Sequence, residues 1–227
     1  MATVSETLLA DPASDPLNAE DLAERFGPIP LARVCWQPLP GTATEDDWIA
    51  ASERQDRQYE LVDGTLVEKT MGWYESVLAM WLGRVLGNYV EERQLGVVLG
   101  PDGPVRFRRS LIRMPDVAFV SRQQLPRKKE RLPRWLDLAP ELAVEVISQG
   151  NTRQEMKRKL DEYFSAGVRL VWYVYPQRRE VHVYTARDRS VVLTEKDLLD
   201  GGDVLPGFSV ALSGLFAERL EEPRHQE

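Results

Sequence analysis

Cysteine is almost missing from this chain: Cys35 is the only one among its 227 residues. A single cysteine excludes a disulfide within the chain and argues against a cysteine-based zinc site. Long apolar runs are missing too, so no membrane-spanning helix is predicted. The first thirty residues place no basic region ahead of an apolar run and therefore do not resemble a secretory signal. Together these absences favour the cytoplasm as the location.

Positive charge is also in deficit, because the formal net charge is −7. Binding to phosphate rewards Lys and Arg, so the overall charge has the wrong sign for a nucleic-acid-binding protein. Basic residues nevertheless collect in two central segments, RFRRSLIR (106–113) and RQQLPRKKERLPR (122–134). Such runs are commonly only solvated loops. The alternative is a local phosphate-binding face, and its candidate residues are Arg106, Arg108, Arg109, Arg113, Arg127, Lys128 and Lys129.

Composition and proline content suggest one main domain with two appendages. Hydrophobic residues make up 43% of the chain, which is enough for a sizeable core. Six prolines fall within the first 40 residues, where they disfavour regular structure. We therefore expect a mobile, proline-rich arm at 1–41, a folded domain at 42–215 and an acidic tail at 216–227.

The periodicity of the central region indicates a mixed sheet with helices on its faces. Asp63-Gly64 lies between two β-rich runs in YELVDGTLVEKT, a strong hairpin signal. Helical spacing predicts a long helix over 74–96 and a second over 152–167. Strands are predicted at 97–100, 104–107, 116–120, 141–148, 168–176, 180–186 and near 190–194. This order predicts an α/β (α+β) fold with a mixed sheet.

Two acids in apolar strands carry the strongest chemical signal. Asp116 opens DVAFV, and Glu145 lies inside LAVEVIS. A buried charge is costly unless it is paired or binds a metal. If these strands pair, the two carboxylates meet at one end of the sheet, where their hard oxygens suit Mg²⁺ or Mn²⁺. The alternative remains open that Asp116 caps a strand and Glu145 pairs with an arginine.

A lysine in the next helix is the third candidate. Lys157 and Lys159 are about 200° apart around a helix, so only one of them can face the sheet. Lys159 lies one turn before Tyr163, beside the apolar stripe of this helix. A lysine near two carboxylates could orient an attacking water or balance developing charge. Lys157 fits better as a solvated side chain.

These segments in their order resemble the Uma-two family, a bacterial group of predicted endonucleases in the PD-(D/E)xK superfamily. The resemblance rests on YELVDG, MPDVAFV, APELAVEVIS, KLDEYFSAGV and WYVYP, and it covers roughly residues 42–215. It implies a restriction-endonuclease-like core: a mixed sheet flanked by helices. It further implies a Mg²⁺-dependent or Mn²⁺-dependent nuclease that acts on DNA, commonly as a homodimer.

The resemblance also assigns individual residues. Pro115-Asp116 matches the PD element, and Glu145 matches the E-x-K element without its lysine. Lys159 matches a lysine that has migrated to the following helix. Glu60 corresponds to the acid of the hairpin, and Glu75 stands where relatives often carry a histidine. The implied catalytic set is therefore Asp116, Glu145, Lys159, Glu60 and Glu75, with Asp116 and Glu145 as metal ligands.

Two functions remain open from the sequence. The first is a metal-dependent endonuclease. The second is a catalytically silent module on the same fold that binds nucleic acid or another protein. The acidic net charge and Glu75 favour the second, whereas Asp116, Glu145 and Lys159 favour the first.

Overall fold

A computed structural model describes residues 16–54, 57–125 and 134–217. The helices are α1 (Ala19–Phe26), α2 (Glu45–Arg54), α3 (Trp73–Glu92), α4 (Arg153–Ala166) and α5 (Leu212–Leu215), with 3-10 turns at Leu31–Arg33 and Pro176–Arg178. The strands are β1 (Tyr59–Val62), β2 (Thr65–Glu68), β3 (Gly96–Leu99), β4 (Val105–Arg108), β5 (Leu111–Arg113), β6 (Val117–Ser121), β7 (Leu142–Val146), β8 (Leu170–Tyr175), β9 (Glu180–Ala186), β10 (Arg189–Thr194), β11 (Leu198–Gly201) and β12 (Leu205–Ala211). No helix of the described residues is long and apolar enough to cross a membrane.

A six-stranded mixed sheet forms the centre of the fold, in the order β10-β9-β8-β7-β6-β3. Strands β7 and β8 are parallel, and the other neighbours are antiparallel. Helix α4 makes the crossover that a parallel pair requires. β7 is buried along its whole length, as its apolar sequence predicts. The mixed sheet with flanking helices is therefore confirmed.

The two long helices cover opposite faces of this sheet. Leu78, Leu82 and Leu86 of α3 pack in one core with Val144 and Trp172. Met156, Leu160 and Tyr163 of α4 pack in another with Ala143 and Val171. Since neighbouring residues of a strand point to opposite faces, Val144 faces α3 and Glu145 faces α4.

The hairpin predicted around Asp63-Gly64 forms between β1 and β2. Both turn residues have positive φ, 45° and 73°, as a two-residue hairpin turn of this kind requires. The hairpin belongs to a second sheet with the order β2-β1-β5-β4. β5 was not predicted, because a three-residue strand is too short to show alternation.

Residues 16–41, the described part of the segment expected to be a loose arm, are folded onto the domain. Asn18 caps α1 through the N–H groups of Glu20 and Asp21, and Leu22 and Phe26 are buried. The guanidinium of Arg33 binds the buried carboxylate of Glu155 at 2.8 Å. Apolar burial against Val62, Val67 and Leu111 fastens the segment to the hairpin sheet, and the ion pair fastens it to α4. These contacts outweigh the local effect of its prolines. The domain boundary near residue 42 remains a prediction, and residues 1–15 and 218–227 lie outside the described residues.

Helix α4 begins and ends where its sequence predicts. The Thr152 hydroxyl accepts a hydrogen bond from the Glu155 N–H, and the Glu155 side chain accepts one in return from the Thr152 N–H, which completes a capping box. Gly167 closes the helix in the left-handed conformation at φ 102°. These two ends set the register of every α4 side chain that faces the sheet.

Candidate functional site

Strands β6 and β7 bring Asp116 and Glu145 together. Val117 pairs with Val144 in antiparallel register, so the preceding residue, Asp116, lies opposite Glu145. The Asp116 N–H donates to the Val144 carbonyl at 2.9 Å, and its Oδ2 accepts from the Val146 N–H at 2.7 Å. Asp116 and Glu145 are 3% and 5% exposed. The expected pairing of these two strands is confirmed.

Lys159 of α4 lies directly over Glu145. Its Nζ atom is 3.2 Å from both carboxylate oxygens of Glu145 and 3.1 Å from Oε1 of Glu60. The Tyr163 hydroxyl, one helical turn later, donates to Oε1 of Glu145. Lys159 is only 3% exposed, whereas Lys157 lies on the exposed side of the helix. Helix geometry thus selects the lysine that was expected to face the site.

Glu60 joins the group from the hairpin strand β1. Its Oε1 accepts from the Met114 N–H at 3.1 Å, and its Oε2 lies 2.8 Å from the Arg113 guanidinium. Arg113 also binds Glu162 of α4 at 2.6 Å. Arg113 was expected among the phosphate-binding residues, but its side chain is buried and bound to two acids. It has no access to a phosphate, so the structure corrects that expectation.

Lys69 belongs to the same group and was not among the sequence candidates. It follows β2, and its Nζ lies 2.8 Å from Oδ1 of Asp116. The same ammonium donates to the carbonyls of Met114 at 2.7 Å and Pro101 at 3.0 Å. The only signal in the sequence was its place at the end of the hairpin that already carried Glu60. We call Asp116, Glu145, Lys159, Glu60 and Lys69 the acid–lysine cluster.

Burial and neighbouring charges set the proton occupancy of the cluster. Burial, reinforced by Asp116 and Glu60, raises the pKa of Glu145 to about 7 despite the attraction of Lys159. Burial would also raise the pKa of Glu60, but Lys159 and Arg113 outweigh it and lower that pKa to about 2. Burial opposes the charge of Lys159, yet Glu145 and Glu60 hold its pKa above the usual value. Near neutral pH, Glu60 and Lys159 are charged and Glu145 is the group that exchanges a proton.

Glu75 is not joined to the acid–lysine cluster by any ion pair or hydrogen bond among the described residues. It lies in the first turn of α3 and is half-buried. Its carboxylate folds back over Gly72, because a Cβ built on that glycine would meet Oε2 of Glu75 at 2.2 Å. The catalytic role of Glu75 therefore stays a prediction from the family resemblance.

Three of the four described residues of the predicted basic face are paired with acids, including Arg113. Arg106 binds Glu45 at 2.9 Å and Asp137 at 2.6 Å, and Arg108 binds Asp63 at 2.7 Å. Arg109 is exposed at the β4–β5 turn. Arg127, Lys128 and Lys129 lie outside the described residues. Internal ion pairs thus reduce the charge that this segment presents to solvent.

The acids present match a divalent ion only in part. Among residues 16–54, 57–125 and 134–217, no three His, Cys, Asp or Glu side chains form a metal-binding group. Asp116 and Glu145 offer hard carboxylate oxygens, and Mg²⁺ commonly takes one or two carboxylates with water and phosphate oxygens completing its shell. Both carboxylates are bound by lysines, so an ion would have to compete with Lys69 and Lys159. The donor chemistry fits, with those lysines as its competitors.

Solvent reaches the neighbourhood of the cluster through a pocket of about 660 Å³. Lys69 and Met114 stand in its wall, beside Asp116. Trp48 and Tyr59 supply an aromatic side to the same pocket. A ligand in this pocket could therefore approach the Asp116 end of the cluster.

The comparison with protein families now assigns the chain. A family model described as "Uma2: Putative restriction endonuclease" matches residues 45–213, about three quarters of the sequence. The chain belongs to this family. The match contains the whole acid–lysine cluster and confirms the resemblance inferred from the sequence segments.

The fold of this chain resembles that of a solved crystal structure. The crystal structure of a "putative nuclease" from Anabaena variabilis superposes with a TM-score of 0.64 at 16% sequence identity. The match covers 71% of this chain and 90% of that protein. At this identity the likeness establishes the fold alone. No match is found among curated proteins.

Proposed function

We propose that the chain is a divalent-metal-dependent endonuclease that hydrolyses phosphodiester bonds in DNA. The observation that carries this proposal is the juxtaposition of Asp116 and Glu145 across β6 and β7 with Lys159 above them. Family membership supports a nuclease-like activity. The single cysteine keeps the cytoplasm as the proposed location.

The chain's own residues have distinct parts in this proposal. Asp116 and Glu145 would hold Mg²⁺ or Mn²⁺, which when bound polarises a phosphate and acidifies a bound water. Lys159 would place its ammonium beside the developing negative charge. Glu60, 3.1 Å from that ammonium, holds Lys159 in place. Burial raises the pKa of Glu145 to about 7 in the metal-free chain, so binding of the metal near neutral pH would displace a proton from this carboxyl.

A nicking assay on supercoiled plasmid tests the proposal. We expect activity with Mg²⁺ or Mn²⁺ and a loss of at least about 100-fold in Asp116→Ala and in Glu145→Ala. Lys196→Ala, an exposed lysine beyond β10, is the matched control and should keep full activity. Melting temperatures must show that the variants remain folded. Absence of nicking in every metal, together with no metal-induced stabilisation, would refute the nuclease proposal.

A catalytically silent module remains the second candidate, and one observation favours it. Lys69 and Lys159 already neutralise Asp116 and Glu145, so the buried acids are stabilised without a metal. In that case divalent ions would leave the melting temperature unchanged. The metal-stabilisation measurement therefore separates the two candidates.

A second copy of the chain is the proposed partner, seated on the outer face of α3. Trp73 and Met80 are 67% and 72% exposed, although both are large and apolar. Trp73, Met80 and Gly87 are spaced by seven and share this face. In an antiparallel pair centred on Met80, Trp73 lies opposite Gly87, where an added Cβ would meet nothing within 4 Å. Sedimentation should show a dimer that Met80→Glu dissociates and Val192→Glu, on the exposed β10, leaves intact.

A further inference from the structure

A groove of about 540 Å³ lies between α1, β4 and α4, away from the pocket beside Lys69. Four cations stand in its wall: Arg25 from α1, Arg108 from β4, and Lys157 and Arg158 from α4. Two acids of α4, Asp161 and Glu162, share the wall. We call this surface the α1–α4 groove. It draws positive charge from three elements that are distant in the sequence.

Two of these cations are held in fixed positions by acids of the protein. Arg108 and Arg158 both bind Asp63, at 2.7 Å and 2.5 Å. Arg158 also lies 2.7 Å from Glu162 and stacks over the ring of Phe26. An arginine held in this way keeps further N–H donors for a ligand, because one guanidinium carries five.

The other two cations are uncommitted. Among the described residues, neither Arg25 nor Lys157 forms an ion pair with an acid, and Lys157 is exposed. The pocket beside Lys69 differs, because Arg57 is paired with Glu68 and Arg134 with Glu53. Of these two pockets, the α1–α4 groove is therefore the one whose wall holds cations without an acidic partner among the described residues.

A chain of ion pairs connects this groove to the acid–lysine cluster. Glu162 binds Arg158 on the groove side and Arg113 on the inner side, at 2.7 Å and 2.6 Å. Arg113 continues to Glu60, 2.8 Å away, and Glu60 binds Lys159. Apart from Arg158, the side chains in this series of ion pairs are almost fully buried. Their positions therefore depend on one another.

We infer that the α1–α4 groove binds the phosphate backbone of nucleic acid. The inference deepens the proposed function and depends on it for the identity of the ligand. Arg25 and Lys157 contact phosphates directly, while Arg108 and Arg158 add donors from fixed positions. The groove would hold nucleic acid without reading its sequence, because phosphate contacts carry no sequence information. Arg25 precedes the residues that the family model matches, so part of this surface lies outside the matched region.

Binding of a fluorescent DNA duplex in metal-free buffer tests the inference without cleavage. Removing one phosphate contact should lower the slope of log K against log salt by about 0.9, which is a roughly five- to tenfold weaker affinity near 0.1 M salt. We expect this from Arg25→Ala and from Lys157→Ala, and a larger loss from Lys157→Glu. Lys196→Ala removes the same charge far from the groove and should bind like the wild-type chain.

The outcomes separate this inference from the proposed function, since nicking is measured on the same variants. If the wild-type chain binds duplex and the groove variants match Lys196→Ala, the inference is overturned. It is also overturned if the wild-type chain does not bind duplex at all. If groove variants bind weakly but no metal supports nicking by the wild-type chain, the nuclease proposal fails and the groove assignment stands. Unchanged melting temperatures exclude misfolding as the cause of weak binding.

Discussion

The ammonium of Lys69 lies 2.8 Å from Oδ1 of Asp116, and two backbone carbonyls accept its remaining hydrogens. This contact joins the end of the β1–β2 hairpin to the start of β6. It gives Asp116 a cationic partner other than Lys159. Consequently each of the two facing carboxylates has its own lysine, and the cluster is close to neutral before any ligand binds.

Replacing Lys69 should destabilise the fold strongly. In Lys69→Met the carboxylate of Asp116 and two buried carbonyls lose their partner, which costs about 3–5 kcal/mol for a broken buried ion pair. Urea unfolding measures the change. Lys196→Met, at an exposed site, should change the free energy of unfolding by less than about 0.5 kcal/mol. Equal stabilities of the two variants would show that the Lys69–Asp116 contact contributes nothing.

The hydroxyl of Tyr163 should stabilise the charged form of Glu145. Tyr163→Phe removes only the donor to Oε1 and leaves the ring in its core, where it packs against Phe107. Loss of a hydrogen bond to a charged group costs roughly 1.5–3 kcal/mol. Tyr74→Phe is the control, because the Tyr74 hydroxyl makes no hydrogen bond among the described residues. If both variants unfold at the same urea concentration, the hydroxyl is not bound to Glu145 in solution.

Protonation of Glu145 should make stability depend on pH. Its pKa is about 7 in the folded chain against an ordinary 4.5. Between these values the folded chain keeps a proton that the unfolded chain releases, so the free energy of unfolding falls as pH rises from about 4.5 to 7. Glu60 acts in the opposite sense: its pKa of about 2 stabilises the fold above 4.5, and this is lost as pH falls towards 2.

Comparison of the wild-type chain with Glu145→Gln isolates the contribution of Glu145 to the pH dependence of the free energy of unfolding. Urea unfolding of both chains in metal-free buffer from pH 5 to 8 should show the wild-type chain losing stability relative to the variant up to about pH 7. Above that pH the two curves should run in parallel. Parallel curves over the whole range would mean that Glu145 titrates normally in the folded chain.

Substitution by alanine should have opposite effects on stability at Gly64 and at Gly87. At Gly64, φ is +73° and an added Cβ would lie 2.3 Å from the Gly41 carbonyl oxygen, so Gly64→Ala should cost more than about 1 kcal/mol. At Gly87, within α3, an added Cβ meets nothing within 4 Å. Gly87→Ala should instead stabilise the monomer by about 0.5–1 kcal/mol. Thermal unfolding of both variants checks the sign of each change.

Local sequence signals were sufficient to predict the hairpin and the helix that position the site. The hairpin at Asp63-Gly64 follows from turn chemistry, and α4 follows from its capping box and closing glycine. Both depend on contacts between residues close in the chain. The apolar residues on either side of Glu145 in β7 also mark this acid as a site candidate, because an unpartnered carboxylate is too costly in a buried strand.

The partners of those carboxylates depended on the tertiary structure. Lys69 reaches Asp116, and Arg113 turns inward to Glu60 and Glu162, only when the hairpin sheet packs against α4. The attachment of residues 16–41 likewise depends on distant contacts, among them the pairing of Arg33 with Glu155 of α4. The sequence alone determined which groups needed partners, because burial of charge follows from local pattern. Which cation met each acid was decided by packing, since ion pairs between distant residues leave no periodic signal along the chain.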